Sequence, residues 1–232
     1  MSPANHKDLP MLADFNFRVI FEYLPLFLTG LRATFLISIV SIALALCTGI
    51  IACACRISPA RVLKYPAIAY IEIIRSTPLL VQIYFLYFGL PTLGVRIPEI
   101  QTGILALMLN SGAYIAEIIR AGINSVDEGQ LEAGISSGLN YVQRMRFIIL
   151  PQALGVTIPP LLGQAIVLVK DSALLSLISV AELTRSGQLM TSERFMPTEA
   201  FFTVAFFYMC IYFVLKALAE WSQKKLIFRE AY

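Results

Sequence analysis

The hydrophobic residues of this chain fall into long runs that are separated by short polar stretches. A helix needs about 20 apolar residues to cross a bilayer core of roughly 30 Å. Five runs reach that length, at about 33–55, 66–90, 100–119, 154–180 and 201–219. Because lipid cannot satisfy backbone polar groups, these runs must be helices, and they are too long and too uniformly apolar for barrel strands. The pattern predicts an all-α polytopic membrane protein with five transmembrane helices.

The composition agrees with a membrane protein. Of the 232 residues, 58% are hydrophobic and 14% are charged, whereas soluble domains carry roughly a quarter charged residues. The four cysteines lie inside apolar runs, so we interpret them as packing residues and not as a disulfide framework. The first run starts too late for a signal peptide, behind Lys7, Asp8, Asp14 and Arg18. Residues 50–53 resemble a lipoprotein cleavage box, but cleavage there would remove a whole span.

The placement of Lys and Arg predicts the orientation of the spans. Basic residues cluster after the first, third and fifth runs, whereas the opposite loops carry Arg185 and Arg194 beside acidic neighbours. Since short cytoplasmic loops are rich in Lys and Arg, we expect the N-terminus outside and the C-terminus in the cytoplasm. The chain then forms one transmembrane domain over residues 27–222. A polar segment (1–26) precedes it outside the membrane, and a cytoplasmic tail (223–232) follows it.

The second run is interrupted by charged and helix-breaking residues. Arg75 lies too deep in the run to be a flanking charge. Pro78 removes an intrahelical hydrogen bond, and Thr77 before it is biased away from the helical conformation. We therefore predict a kink. A buried guanidinium is costly in lipid, so Arg75 either lines a pathway or gate or belongs to a packing kink in which Glu72 neutralises it.

The third and fourth runs carry further ionisable residues. Lys170 and Asp171 lie deep inside the fourth run, and neighbouring side chains on a helix point roughly 100° apart. We expect each to meet a partner on another helix, either in structural ion pairs or in a site for a zwitterionic substrate. Glu117, near the end of the third run, is interpreted as an interfacial charge close to Arg120.

A polar loop over residues 125–151 separates the third and fourth runs. Residues 125–128, Ser-Val-Asp-Glu, have the pattern of a capping box and predict a short helix. Gly138 would end it, because a residue without Cβ accepts the left-handed conformation at a helix C-terminus. Asn140 predicts the N-cap of a second helix, and Pro151 predicts that this helix bends or restarts. The loop is either a compact knob that binds a soluble partner or an amphipathic helix on the membrane surface.

The loop resembles the cytoplasmic EAA loop of the permease subunits of ABC importers. The family pattern is Glu-Ala-x, three residues, Gly, nine residues and Ile-x-Leu-Pro. This chain carries it with the full spacing at Glu132, Ala133, Gly138, Ile148, Leu150 and Pro151. Gly134 stands where the family usually has Ala, so the position stays small. Gly129 and Gln130 precede the motif as they do in the family.

Other segments resemble the branch of this family that imports polar amino acids of the histidine, glutamine and arginine type. Residues 75–82 resemble its Arg-Gly-Thr-Pro segment, with Ser76 in place of Gly. Residues 112–123 resemble the end of its third span. Residues 170–174, Lys-Asp-Ser-Ala-Leu, resemble its Lys-Asp-Thr-Ser-Leu segment. The resemblance covers most of the chain from about residue 30 onward.

The resemblance implies a non-catalytic transport subunit of a bacterial inner membrane that works by alternating access. Two permeases, identical or different, form the pathway, and a periplasmic binding protein delivers the amino acid. A cytoplasmic ATPase dimer binds the loop and carries ATP and magnesium. This chain lacks the phosphate-binding Gly-x-x-x-x-Gly-Lys-Ser/Thr motif. We expect no cofactor, metal or nucleic acid on it.

The resemblance and the polar residues of the spans together define two sets of candidate residues. The coupling residues of the loop are Gly129, Gln130, Glu132, Ala133, Gly134, Gly138 and Pro151. The candidate residues of the substrate pathway or gate are Arg75, Thr77, Gln82, Tyr114, Glu117, Lys170 and Asp171.

Two other classes of function are compatible with the hydrophobic pattern. A channel or an ion-coupled secondary transporter would need no loop of this kind, and a membrane scaffold would use the loop to recruit a different partner. Charges of both signs in the spans suit any α-amino acid. Cationic, acidic and amide substrates therefore stay open, as does the choice between a homodimer and a heterodimer.

Overall fold

The structure, a computed structural model, describes residues 15–230, with side chains described as far as Trp221. Every regular element in that part of the chain is helical. The α-helices are α1 (Phe17–Ile57), α2 (Arg61–Ser76), α3 (Leu79–Tyr84), α4 (Leu90–Thr92), α5 (Glu99–Asn124), α6 (Glu128–Ser136), α7 (Tyr141–Arg144), α8 (Leu150–Asp171), α9 (Leu183–Arg194) and α10 (Pro197–Glu230). Two π-helical turns, Phe85–Gly89 and Met145–Ile149, join α3 to α4 and α7 to α8, and a 3-10 helix, Ser172–Ile178, follows α8.

Four helical segments are long and apolar enough to cross a membrane. They are α1, α5, the continuous segment Tyr141–Ile178 and the Pro197–Trp221 part of α10. The pair Arg61–Ser76 and Leu79–Thr92 passes the same test together, but it is bent by 110° at its break. The all-helical prediction is therefore confirmed for the described residues, and the number of spans is four, or five if the bent pair is one of them.

The bend between α2 and α3 is built around Pro78, as the sequence predicts. Thr77 adopts an extended conformation (φ −116°, ψ 141°), so the helix cannot continue across it. The Gln82 amide group donates hydrogen bonds to the carbonyl oxygens of Ile74 (2.8 Å) and Thr77 (3.0 Å). Its own oxygen accepts a hydrogen bond from Asn110 of α5 (3.1 Å). Gln82 thus satisfies backbone groups that the break would otherwise leave open.

Both π-helical turns end two residues before a proline, at Pro91 and Pro151. Proline has no N–H for the bond to the carbonyl four residues earlier, and its ring crowds that carbonyl. A π-helical turn inserts one extra residue into the helix, which accommodates the ring without a break. The helix therefore does not restart at Pro151, because the segment Tyr141–Ile178 is continuous across it. The helical segment that contains the fourth span begins at Tyr141, before the predicted start of the span at residue 154, and is continuous to Ile178.

The outer limits of the first and last spans also differ from the prediction. α1 begins at Phe17, where the Asn16 side chain caps it by accepting a hydrogen bond from the Arg18 N–H (3.1 Å). Part of the predicted polar segment is therefore helical, and residues 1–14 lie outside the described residues. The 41 residues of α1 span about 60 Å, twice the bilayer core. Its early turns pack on α9 and α10 around the fully buried Phe27.

The helices α5 and α10 extend further than predicted at their C-terminal ends. α5 continues to Asn124, past the predicted end at 119, because its last turns still pack against α8. α10 is helical to Glu230, so most of the predicted tail continues the last helix. Residues 231 and 232 lie outside the described residues.

α5 lies at the centre of the bundle, in close contact with α1 on one side and α8 on the other. A Cβ added to Gly49 of α1 would lie 2.4 Å from Ile115 Cγ2 and 3.0 Å from the carbonyl oxygen of Gly112. A Cβ at Gly122 of α5 would lie 2.1 Å from Thr157 Cγ2 on α8. Small residues allow membrane helices to approach this closely. The glycines therefore set the spacing of the three central helices.

We expect Gly49→Val to destabilise the protein by about 1–3 kcal/mol, because the added methyl groups must displace Ile115 or separate α1 from α5. Gly163→Val on α8 is the matched control, since no atom lies within 4 Å of a Cβ there. The midpoint of thermal unfolding, measured in detergent by circular dichroism, compares the two variants. Equal midpoints would contradict this packing of α1 on α5.

Candidate functional site

The loop between α5 and α8 begins with a short helix whose cap differs from the predicted one. α6 starts after Asp127, whose Oδ1 accepts a hydrogen bond from the Gly129 N–H (2.8 Å). Ser125, which the sequence places first in a capping box, donates instead to the carbonyl oxygen of Gly122 (2.8 Å) and caps the end of α5. The prediction of a helix is correct, but Ser125 is not its cap, because α5 continues as far as that residue.

The end of α6 and the start of α7 follow the prediction. Gly138 has φ +75°, and the next N–H, of Leu139, donates to the carbonyl oxygen of Gly134 (3.0 Å). Asn140 Oδ1 accepts a hydrogen bond from the Gln143 N–H (3.0 Å), and Gln143 Oε1 accepts one from the Asn140 N–H (2.9 Å). This reciprocal pair is a capping box. The loop is therefore two short helices joined at a glycine turn.

Gly134 is the residue through which α6 packs on the second helix. It is buried, and a Cβ there would lie 2.7 Å from Ile148 Cδ1 and 3.3 Å from Arg144 Cδ. Arg144 Nη1 donates a hydrogen bond to the carbonyl oxygen of Leu139 (2.7 Å), across the glycine turn. The absence of a side chain at Gly134 thus lets α6 approach the helix that leads into α8.

The outer face of the loop is exposed and mixes polar and apolar groups. Gly129, Gln130, Glu132 and Ala133 are exposed, and Glu132 has no hydrogen bond or ion pair within the described part of the chain. Three apolar side chains on the same two-helix loop, missed by the sequence reasoning, are also exposed: Ile135 (57%), Val142 (69%) and Phe147 (65%). The signal that could have found them is an apolar residue inside a polar loop. Exposed apolar side chains grouped in this way mark an interaction surface.

Glu117 on α5 is the centre of an ion cluster that joins three helices. Its carboxylate lies 2.8 Å from Arg120 Nη2, 3.1 Å from Arg56 Nη1 of α1 and 3.6 Å from Arg75 Nη1 of α2. The Glu117 side chain is only 14% exposed. The predicted proximity of Glu117 and Arg120 is confirmed. The cluster also ties the ends of α1 and α2 to α5, which the sequence did not predict.

The pairing of Arg75 differs from the alternative in which Glu72 neutralises it. Glu72 contacts Arg56 instead (3.3 Å), and Arg75 contacts Glu117 and lies over the Tyr114 ring, 5.3 Å from its centroid. The reason is that α2 contacts both α1 and α5. Arg56 of α1 attracts Glu72, and Glu117 of α5 attracts Arg75. Among the predicted pathway residues, Arg75, Tyr114 and Glu117 therefore lie together.

The other four predicted pathway residues lie in two further places. Thr77 Oγ1 accepts a hydrogen bond from Gln82 (2.9 Å) at the α2–α3 bend. Lys170 and Asp171 are the last two residues of α8. Within the described part of the chain, neither side chain makes a hydrogen bond or a salt bridge, although the two neighbouring charges interact electrostatically with each other. The expected partner on another helix is therefore not found among the described side chains of this chain. Lys170 is exposed, whereas Asp171 is half-buried.

The helical spans and the two-helix loop agree with the protein family that most of the chain matches. Residues 45–228 match the family described as "Binding-protein-dependent transport system inner membrane component". The chain belongs to this family. It is thus a multi-pass component of an inner membrane, and its exposed apolar helix faces are the surfaces expected to contact lipid or other subunits. Within the described residues, no group of three or more His, Cys, Asp or Glu side chains could hold a metal ion.

Members of this family are similar to the chain over nearly its whole length. The probable glutamine ABC transporter permease protein GlnM of Bacillus subtilis (strain 168) is 36% identical over 211 residues, with 91% of this chain and 98% of that protein covered. The glutamine transport system permease protein GlnP of Escherichia coli (strain K12) is 37% identical over 215 residues, with 92% and 98% covered. A solved structure, "Crystal structure of an amino acid ABC transporter with histidines", has a TM-score of 0.88 at 36% identity and covers 90% of this chain and 98% of that chain.

In this inner membrane component, α5 connects the ion cluster directly to the loop. Glu117 and Ser125 lie at the same end of α5, about 12 Å apart along the helix axis. Gly122, which packs α5 on α8, lies between them. The start of the loop therefore lies two to three helical turns from the junction of α1, α2 and α5.

We expect Glu117→Gln to lower the free energy of unfolding by about 1–3 kcal/mol, because Arg75 and Arg120 lose the carboxylate that pairs with them. The matched control is Glu220→Gln on α10, which removes an exposed contact with Lys216 (3.9 Å, 57% exposed) and should change little. Thermal unfolding in detergent measures both. A wild-type midpoint for Glu117→Gln would show that the cluster does not hold the three helices together.

Proposed function

We propose that this chain is the transmembrane permease subunit of an ATP-driven importer of polar amino acids. Two such subunits, two copies or this chain and a related one, form the translocation pathway. The observation that carries the proposal is the two-helix loop in a member of an inner-membrane transport family. Glu132 and Ala133 are exposed on this loop, and the Glu132 side chain has no hydrogen bond or ion pair within the described residues. The glutamine permeases among its relatives support amino acids as the substrate class.

The loop is proposed to bind a cytoplasmic ATPase, which carries ATP and magnesium. Glu132 offers one negative charge to a partner, and the exposed side chains of Ile135, Val142 and Phe147 offer apolar surface on the same loop. This mixture of a few charges and several exposed apolar groups suits a protein partner. In this arrangement the N-terminus lies outside, the C-terminus lies in the cytoplasm, and a solute-binding protein delivers the amino acid from the outer side.

The continuity of α7 with α8 provides the mechanical connection. Because the helix is unbroken from Tyr141 to Ile178, a displacement at the loop moves the fourth span as one body. The packing of Gly134 on Ile148 keeps α6 with it, and the contact of Gly122 with Thr157 passes the movement to α5. Closing and opening of the ATPase dimer then rocks the spans between outward-facing and inward-facing states.

The substrate pathway is proposed to include Lys170 and Asp171. Unpaired charges in membrane-spanning segments are costly and are kept for functional contacts, and a zwitterionic amino acid carries both opposite charges. Arg75 and Tyr114, which contact each other beside Glu117, are proposed as part of the gate. Thr77 and Gln82 support that gate by stabilising the α2–α3 bend.

We expect Glu132→Lys to abolish ATP-dependent uptake, because the reversed charge opposes docking of the ATPase. The assay uses vesicles that contain the whole transporter and measures entry of radiolabelled glutamine, arginine and aspartate, together with ATP hydrolysis. Glu220→Lys, an equivalent charge reversal on α10, is the control and should leave uptake near the wild-type rate. Uptake that survives in Glu132→Lys, or an ATPase that still co-purifies with it in wild-type amount, would rule out the coupling role.

We expect Asp171→Asn to raise the concentration of amino acid needed for half-maximal uptake by about tenfold, since one charged contact of the substrate becomes neutral. Co-purification of the ATPase should stay unchanged, because the substitution lies at the far end of α8 from the loop. The same vesicle assay measures the first effect and a detergent pull-down the second. An unchanged concentration dependence would exclude Asp171 from the pathway without affecting the coupling proposal.

A further inference from the structure

A groove of about 470 Å³ runs between α1 and α10. Its walls are apolar side chains of the two helices, including Phe35, Ile39, Phe207 and Val214. Phe35 and Val214 are 59% and 61% exposed, so the groove is open on the outside of the bundle. In a membrane component, an open apolar groove of this kind lies in the hydrocarbon region and is filled by an apolar chain.

One basic residue, Arg32, lines the groove. It is exposed and has no hydrogen bond or ion pair with any residue of the described part of the chain. The contrast with Arg56, Arg75 and Arg120, which all pair with Glu117, is informative. A guanidinium beside an apolar groove needs an anionic partner, and the described chain does not provide one.

The position of Arg32 along α1 places its side chain at the level of lipid headgroups. Arg32 and Arg56 both lie on α1, and at 1.5 Å per residue they are about 36 Å apart along the axis. A bilayer core is about 30 Å thick, or 40–45 Å with its headgroup regions. With Arg56 at one surface, Arg32 therefore reaches the headgroups of the opposite leaflet, and the groove extends from it into the hydrocarbon.

We propose that this groove is a binding site for one anionic phospholipid. The phosphate pairs with the Arg32 guanidinium, whose planar donors suit phosphate oxygens, and an acyl chain lies between α1 and α10. A second copy of this chain is a poorer occupant, because a protein interface would bury Arg32 without a carboxylate and leave its charge uncompensated. A net-neutral lipid would fill the groove but would compensate the charge less well.

The test is native mass spectrometry of the full chain purified in detergent and titrated with palmitoyl-oleoyl phosphatidylglycerol or with the corresponding phosphatidylcholine. We expect one phosphatidylglycerol to bind at least about fivefold more tightly than phosphatidylcholine, the factor for one basic residue near anionic lipid. Arg32→Gln should remove this preference. Arg18→Gln is the matched control, since Arg18 is exposed on the same helix and does not line the groove.

A second pair of variants tests the apolar part of the site. Cys210→Trp fills the groove, because Cys210 lines it and is exposed, and should lower retention of both lipids by at least about fivefold. Met209→Trp places the same ring at the next position of α10, outside the groove, and should not. Equal binding of the two lipids to wild type, a preference that persists in Arg32→Gln, or equal retention by the two Trp variants would each overturn the proposal. Loss of dimer without loss of lipid in Cys210→Trp would assign the groove to a second copy instead.

Discussion

In lipid, every backbone N–H and carbonyl group has to find its partner inside the protein, and the prolines of this chain make that requirement demanding. Three of these prolines illustrate two ways of meeting it. At Pro78 the helix breaks, and the Gln82 side chain donates hydrogen bonds to the carbonyl oxygens of the broken turn. At Pro91 and Pro151 a π-helical turn before the proline accommodates its ring, and the helix continues across the proline. The break at Pro78 produces a bend of 110°. The helix that crosses Pro151 continues to Ile178, whereas the one that crosses Pro91 ends at Thr92.

The bend at Pro78 and the continuous helix across Pro151 have different roles in the proposed transporter. The unbroken helix from Tyr141 to Ile178 gives the loop a direct mechanical connection to the fourth span. The α2–α3 bend presents Arg75 to Glu117 and Tyr114, at the same end of α5 as the loop. Paired arginines hold α1, α2 and α5 together there. Arg32 and Lys170 are exposed and Asp171 is half-buried, and none of the three has a salt bridge within the described residues. Of the charges without a salt bridge, we assign Lys170 and Asp171 to the substrate and Arg32 to a lipid.

The local features were predictable because each depends on only a few neighbouring residues. The apolar runs predict helices, Pro78 predicts the break, and Gly138 and Asn140 predict the turn and cap of the loop. Predictions failed where neighbouring elements compete. Ser125 has the sequence pattern of an N-cap of α6, but its hydroxyl donates to a carbonyl oxygen at the end of α5. Glu72 is close to Arg75 in sequence, but it forms a salt bridge with Arg56 of α1. The π-helical turn before Pro151 has no local sequence signal that distinguishes it from a break.

By itself, the amino-acid sequence determined the membrane class, the approximate spans and the two-helix loop with its resemblance to ABC permeases, because apolar run length, capping and motif spacing are local properties of the chain. Only the tertiary structure decided that α1 extends to Phe17, that Glu117 joins three arginines, and that Lys170 and Asp171 have no salt bridge within the described residues. It also decided that a groove with Arg32 at its wall opens between the first and last helices. These features depend on which helices lie side by side, and the packing of the whole bundle sets that arrangement.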